Sequence, residues 1–162
     1  MNKTLSVGIQ VASAAAGIPT RKSIRSWVRA AVKQFGDADA VEVSVRIVDE
    51  EEGRQLNREF RDKDRATNVL SFPPGDASLP PETPKSLGDI VICAPLVECE
   101  AAAQGKATAD HWAHLLVHGT LHLLGCDHDG EQDAAVMEAL ETRILAARGV
   151  ANPYSSVTRC HN

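Results

Sequence analysis

Val41, Val43, Val45 and Ile47 alternate strictly with Glu42, Ser44 and Arg46. A period of two puts the four β-branched side chains on one face of an extended strand. Such a face must be buried, so this segment commits the chain to a sheet rather than to a helical bundle. Val7, Ile9 and Val11 repeat the pattern and predict a strand over about Leu5 to Ala12. Lys3 and the apolar run from Leu5 to Ile18 also loosely imitate a signal peptide. Ser6, Gln10, Ser13 and two glycines dilute that run, so the strand is the preferred reading. Asn68 to Phe72 reads as a short strand and Gly88 to Ile92 as a buried one.

Helical periods separate these strands. Pro19 and Thr20 open a helix whose Ile24, Trp27, Val28, Ala31, Val32 and Phe35 share one face, with Gly36 as its stop. Asp49 can cap a second helix. Glu50, Glu51 and Glu52 then lie in its first turn, where the dipole favours acids, and Leu56 and Phe60 supply its apolar contacts. Pro95 suits the first turn of a helix running to about Gln104. A fourth helix is predicted from about Thr108 to Leu124. A fifth follows Asp129, whose spacing to Gln132 resembles a capping box. Met137, Leu140, Ile144 and Leu145 form its buried face, and Gly149 is its C-terminal cap. Residues 73–87 hold five of the eight prolines plus Gly75 and read as a loop. With 162 residues in all, that loop is an excursion within one domain spanning 1–162 rather than a linker between two.

Five of the six histidines lie between positions 111 and 128. At about 100° per residue, His111, His114, His118 and His122 point into an arc about 80° wide. Trp112, Leu115, Leu116, Gly119 and Leu123 fill the adjacent arc. His118 and His122, four apart, lie over one surface spot. Gly125 follows three residues after His122, and His128 three after that. A left-handed glycine can end the helix and swing His128 back toward the first two. This H-x3-H-x2-G-x2-H spacing matches the metzincin zinc site. Three neutral nitrogens leave a fourth position of the zinc open, as in catalytic sites. His118, His122 and His128 are therefore the expected ligands of one zinc ion. His111 is about 10 Å along the axis from His118 and cannot share the metal. His114 could pair with His118 instead, but that register leaves Gly125 and His128 without a purpose. Roles behind the ligands or in the core are expected for both. Cys126 is expected to pack.

Metzincin proteases carry Glu directly after the first histidine, as general base. Here that position is Gly119, which turns the reading away from peptides. A phosphodiester substrate wants positive charge, and an arginine fork matches phosphate oxygens. Arg54, Arg58, Arg61, Lys63 and Arg65 form the cluster where that charge is expected. Arg21, Lys22, Arg25, Arg29 and Lys33 read instead as a solvated helix face. The net charge of −5 argues against bulk coating of nucleic acid, though not against a local basic cleft. Cys93, Cys99, Cys126 and Cys160 form no C-x-x-C pair and are expected as free thiols in a reducing cytoplasm. No run approaches the length of a membrane span, and neither a membrane nor a dinucleotide is an expected partner.

Three segments together resemble one family. His118-Gly-Thr-Leu-His122-Leu-Leu-Gly125-Cys126-Asp127-His128 resembles the signature of the YbeY endoribonucleases, the bacterial ribosomal RNA maturation factors. Leu56-Asn57-Arg58-Glu59-Phe60-Arg61, continuing through Thr67-Asn68-Val69-Leu70-Ser71-Phe72, is similar to their other main block. Leu87-Gly88-Asp89-Ile90 is similar to a third. The resemblance implies an α+β fold, with a mixed, mostly parallel four-stranded sheet packed by about five helices. It implies a zinc-dependent, single-strand-specific endoribonuclease that matures the 3′ end of small-subunit ribosomal RNA and serves ribosome quality control. Ribosomal RNA, the small subunit and a ribosomal protein or assembly factor would be its partners. It implies that Arg61 is the functional arginine near the metal; the plainer alternative for Arg61 is a surface ion pair with Glu residues. Asp127 and Asp89 are candidates for the general base, and Asp127 is equally a candidate for orienting a ligand. His114, Asp127, Asp89 and Asn68 are the candidates for supporting or substrate-binding roles. Cys126 stands where the family usually has tyrosine, and Ala66 where proline is common. Two rivals remain: a metallopeptidase or other amidohydrolase, and a non-catalytic ribosome-assembly factor with structural zinc.

Overall fold

The alternation at 41–47 is realised as β2 (Val41–Val48), whose Val41, Val43, Val45 and Ile47 are all buried. A computed structural model describes residues 5–35, 41–73, 85–126 and 131–154. β2 runs parallel to β1 (Leu5–Ala12) on one side and to β4 (Lys85–Cys93) on the other. The short β3 (Val69–Phe72) pairs antiparallel with β4, giving the order β1-β2-β4-β3. The mixed, mostly parallel sheet of four strands is thus as expected, and β3 forms an edge.

Among the described residues, five helices accompany it: α1 (Arg21–Val32), α2 (Glu50–Arg61), α3 (Ala94–Gln104), α4 (Thr108–Leu123) and α5 (Glu131–Ala146). α1 starts where Thr20, expected to open the helix, accepts a hydrogen bond from the Ser23 amide at 3.1 Å as its N-cap. Ile24 and Val28 of α1 and Trp112, Leu115 and Leu116 of α4 form one core with the apolar face of β2, Ile90 and Ile92. A second core joins α4 to α1 and α5 through Val117, Leu121, Met137, Ile144 and Leu145. On the opposite face of the sheet, Leu56 of α2 packs on Val48, Leu70, Val91 and Cys93. α4 therefore lies between the sheet and α5, which is why so much of it is buried. Among the described residues, no helix is long and apolar enough to cross a membrane.

Several local expectations change. Asp49 holds the N-cap position of α2 but makes no capping bond; its carboxylate accepts from the Ser13 hydroxyl instead. A tertiary partner has outcompeted the local amides. Phe60 is 60 % exposed, resting edge-on against Phe72 with ring centroids 5.3 Å apart. It lies near the end of α2, beyond the reach of the core that Leu56 joins. β4 starts at Lys85, so residues 85–87 belong to the strand rather than to the proline-rich loop. Once the prolines end, ladder partners on β2 are available to the chain. Gly36, residues 74–84 and the Asp129 cap lie outside the described residues.

Gly88 occupies a position open only to glycine. Its φ is +123°, and a Cβ there would lie 2.3 Å from the Phe72 carbonyl oxygen on β3. Gly88→Ala should therefore force β3 and β4 apart. A loss of about 2–5 kcal/mol in urea unfolding is expected, with local loss of hydrogen-exchange protection in β3.

Candidate functional site

α4 turns its leucines into the core and its later histidines to a cleft. The cleft, about 740 Å³, is lined by His118 and His122 of α4, by β3, and by the end of α2 and the loop after it. It lies along the side of β3 that has no neighbouring strand among the described residues. The His118 and His122 rings meet edge to face with centroids 4.7 Å apart. His128 and Asp127 lie outside the described residues, so of the three expected ligands the structure describes His118 and His122.

Gly119 explains how α4 comes so near. A Cβ at this position would lie 3.1 Å from Ile90 Cγ2, 3.3 Å from Val69 Cγ2 and 3.4 Å from Ser71 Oγ. The residue after His118 thus faces the sheet, in space too tight for a glutamate. Ser71 Oγ donates to the Gly119 carbonyl at 3.1 Å, pinning β3 to the middle of the histidine pair.

The basic wall comes from α2 and its exit. Arg61 is the last residue of α2, and its guanidinium donates to the Ser71 carbonyl at 3.0 Å. Among the described residues it makes no ion pair, and it lines the cleft. Lys63 and Arg65 line it as well. Their loop is held from beneath by the buried Asn57, whose amide donates to the Arg65 carbonyl at 2.7 Å. Arg54 pairs instead with Asp64 at 2.8 Å and stands apart from the cleft. The expected cluster of five cations therefore contributes three, since Arg58 is also absent from the lining.

Two carboxylates stand behind α4. Glu141 of α5, fully buried, accepts from His118 Nδ1 at 2.6 Å with one oxygen. Its other oxygen meets His114 Nε2 at 3.0 Å and the Tyr154 hydroxyl. Burial alone would push this carboxyl up; hydrogen bonds from His114, His118 and Tyr154 outweigh it and hold it down to about 2. Burial lowers His114, which Glu141 only partly offsets, favouring the neutral ring; its Nε2, 3.0 Å from the carboxylate, is placed to donate. His114 Nδ1, buried with no partner among the described residues, suits a neutral ring and would be an orphan N–H in a charged one. The second carboxylate, Glu100 of α3, joins the buried His111 (2.8 Å) to Asn68 Nδ2 (3.0 Å). Asn68 in turn lines the cleft beside β3.

Asp89 is placed elsewhere. It is exposed on the opposite face of β4 and lines a separate groove with Arg46 and Glu52, themselves paired at 2.6 Å. Period-two alternation along β4 sends Ile90 toward α4 and Asp89 away from it. Cys126 is partly buried against the second core and borders the cleft; burial pushes its thiol up. Cys93, Cys99 and Cys126 are free thiols, as expected of them, and Cys160 lies outside the described residues.

The donors suit a metal of the zinc type. Two imidazoles four residues apart share one spot, and one of them is backed by a carboxylate, as ligating histidines commonly are. A second grouping is also present: donor atoms of His114, His118 and Glu141 all lie within 4.8 Å of one another. Glu141, Glu100, Tyr154 and Ser71 are the site residues that motif reading missed. Glu141 alone left a signal. It falls four residues after Met137 and three before Ile144, a charge on the buried face of α5.

With this geometry in hand, comparison with known proteins is decisive. The family model for endoribonuclease YbeY matches residues 10–149. The chain belongs to the endoribonuclease YbeY family. A YbeY endoribonuclease from Alkalilimnicola ehrlichii is 54 % identical over 144 residues, covering 86 % of this chain and 84 % of its own. One from Xanthomonas oryzae pv. oryzae is 53 % identical over 156 residues, covering 93 % of this chain and 94 % of its own. A Thermotoga maritima protein solved in solution shares the fold, with a TM-score of 0.57 at 23 % identity, over 94 % of this chain and 99 % of its own.

The Glu100 network gives a test in acid. Hydrogen bonds from His111 and Asn68 overcome burial and hold Glu100 below its ordinary 4.5. Its folded value is the lower one, so its contribution to stability is complete above the ordinary value. That contribution fades as falling pH passes through the lowered one. Glu100→Gln should lose about 1–2 kcal/mol at neutral pH. Its urea midpoints should fall less steeply than the wild type's as the pH is lowered through 4.5 and below.

Proposed function

We propose that this YbeY family member is a zinc-dependent, single-strand-specific endoribonuclease. In this reading it matures the 3′ end of small-subunit ribosomal RNA and takes part in ribosome quality control. The observation that carries the chemistry is the meeting of His118, His122 and Arg61 in one cleft. His118, His122 and His128 would hold the ion. A bound zinc lowers the pKa of water and polarises a phosphoryl oxygen, both of which phosphodiester hydrolysis needs.

The chain's own residues supply the rest. Arg61, anchored to Ser71 by one guanidinium nitrogen, has further N–H donors for the non-bridging oxygens of the scissile phosphate. It offsets charge that grows on those oxygens as the new P–O bond forms. Lys63 and Arg65 extend the positive wall for flanking phosphates. Asp127 remains the candidate for taking the proton from water; Asp89, across the sheet, has no part in the cleft. Asn68, held by Glu100, is a substrate-facing amide.

The peptidase alternative loses support at Gly119, where the sheet leaves no room for the missing glutamate. The overall charge of −5 weakens autonomous binding of naked RNA, so a protein partner on the small ribosomal subunit would supply targeting.

Cleavage of a single-stranded ribosomal RNA fragment by zinc-loaded protein tests the reading. His118→Ala should abolish cleavage, and Arg61→Ala should slow it about 100-fold with zinc content unchanged. Equal rates in all three proteins would point to a contaminating nuclease. Three cleft cations also set the salt response. The affinity for single-stranded RNA should fall with a log–log slope of about −2, at about 0.7 per phosphate contact, and Lys63→Ala should make it shallower. A salt-independent, tight affinity would contradict this.

A further inference from the structure

Among the described residues, Glu141 has three donors: His114, His118 and Tyr154. Its Oε2 is 2.6 Å from His118 Nδ1. Its Oε1 is shared by His114 Nε2 at 3.0 Å and the Tyr154 hydroxyl, and that hydroxyl is also 3.1 Å from His114 Nε2. The carboxylate is fully buried, so water cannot replace any donor that turns away. One side chain thus ties together α4, α5 and the segment after α5.

We infer that Glu141 is the positioning residue of the candidate metal site: it fixes His118 as the Nδ1–H tautomer and so presents Nε2, the nitrogen on the far side of the ring, as a lone pair on the cleft side. Tyr154 and His114 hold the carboxylate in place for that task. This rests on the ligand set proposed above.

The hydrogen bonding decides between two roles for Glu141. As a direct ligand beside His114 and His118, it would require both N–H protons aimed at it to be absent. It would also give the ion a carboxylate ligand on the core side of α4, away from Arg61. As an acceptor it uses the protons that neutral imidazoles carry, and both oxygens are satisfied. Buried on the core side of α4, it engages His118 at Nδ1 rather than at Nε2. The second role also gives purpose to His114, which lies too deep to share the cleft with His122. Tyr154 then has a function although it is distant from the motif in sequence. Its hydroxyl, raised by burial and by the Glu141 hydrogen bond, stays protonated and donates.

The experiment uses the full chain and has readouts that do not depend on cleavage. Nitrogen-15 shifts of the His118 ring in metal-free wild-type protein should report protonated Nδ1 and unprotonated Nε2; the opposite tautomer overturns the proposal. Zinc affinity is then measured by competition with a chromophoric chelator. Glu141→Gln should bind zinc about 10–100-fold more weakly, with a mixed His118 tautomer. Tyr154→Phe, which keeps the carboxylate and removes one donor, should lose less than Glu141→Gln. It also serves if the glutamine variant does not fold. Wild-type zinc affinity in both variants overturns the proposal. So does a loss in Glu141→Gln equal to that in His122→Ala, which would make Glu141 a ligand. Undiminished zinc binding in His122→Ala would overturn the ligand set itself while leaving the tautomer measurement to stand or fall alone.

Discussion

The contact of α4 with β3 and β4 at Gly119 governs the rest of the structure. No side chain separates helix from sheet there, so Ile90, Val69 and Ser71 touch the helix directly. Any larger residue would lift α4 and carry His118 and His122 away from Arg61. The same contact lets Ser71 reach the Gly119 carbonyl, and lets Arg61 reach Ser71 from the other side. Three elements from different parts of the chain are thus brought into register by one close approach. The cost of a glycine within a helix is about 1 kcal/mol, which packing on this scale readily offsets.

Polar order behind the helix is of a different kind. His111, His114 and His118 each meet a carboxylate from another helix, Glu100 or Glu141. Buried carboxylates left unpaired would be costly, so each pair holds its helices in one arrangement. The apolar cores fix how near the elements lie. The two carboxylates fix how α4 is rotated about its axis, which matters more to a site built from directional nitrogens.

Much of this was legible in the chain. Alternation gave β1 and β2, and 3.6-residue periods gave the start of α1 and α4 nearly to the residue, because each is a local pattern set by one buried face; α1 itself ends at Val32, short of the expected Gly36 stop, with a 3-10 turn over Lys33–Phe35. The histidine spacing pointed to the cleft, and Arg61 lies in it. What could not be read depends on partners distant in sequence. Asp49 left its capping role for Ser13, and Phe60 stays exposed because α2 outruns the core beneath it. Asp89 adjoins a glycine in a conspicuous motif, yet β4 points it across the sheet. Glu141 was the one readable omission, a charge among the apolar residues of α5. Its partners His114, His118 and Tyr154 became evident only in three dimensions.

The position of β3 has a consequence for which polymers can enter. Asn68 accepts from Cys93 across the ladder, so alternate carbonyls, including that of Ser71, point outward from the sheet. An open edge of this sort ordinarily invites another extended polypeptide to add itself as a strand. Here Arg61 already occupies the Ser71 acceptor. The plug is a cation whose remaining donors face a polyanion as readily as they obstruct a peptide. One hydrogen bond thereby takes up an acceptor that strand pairing would need and leaves the remaining N–H donors of a cation at the same edge.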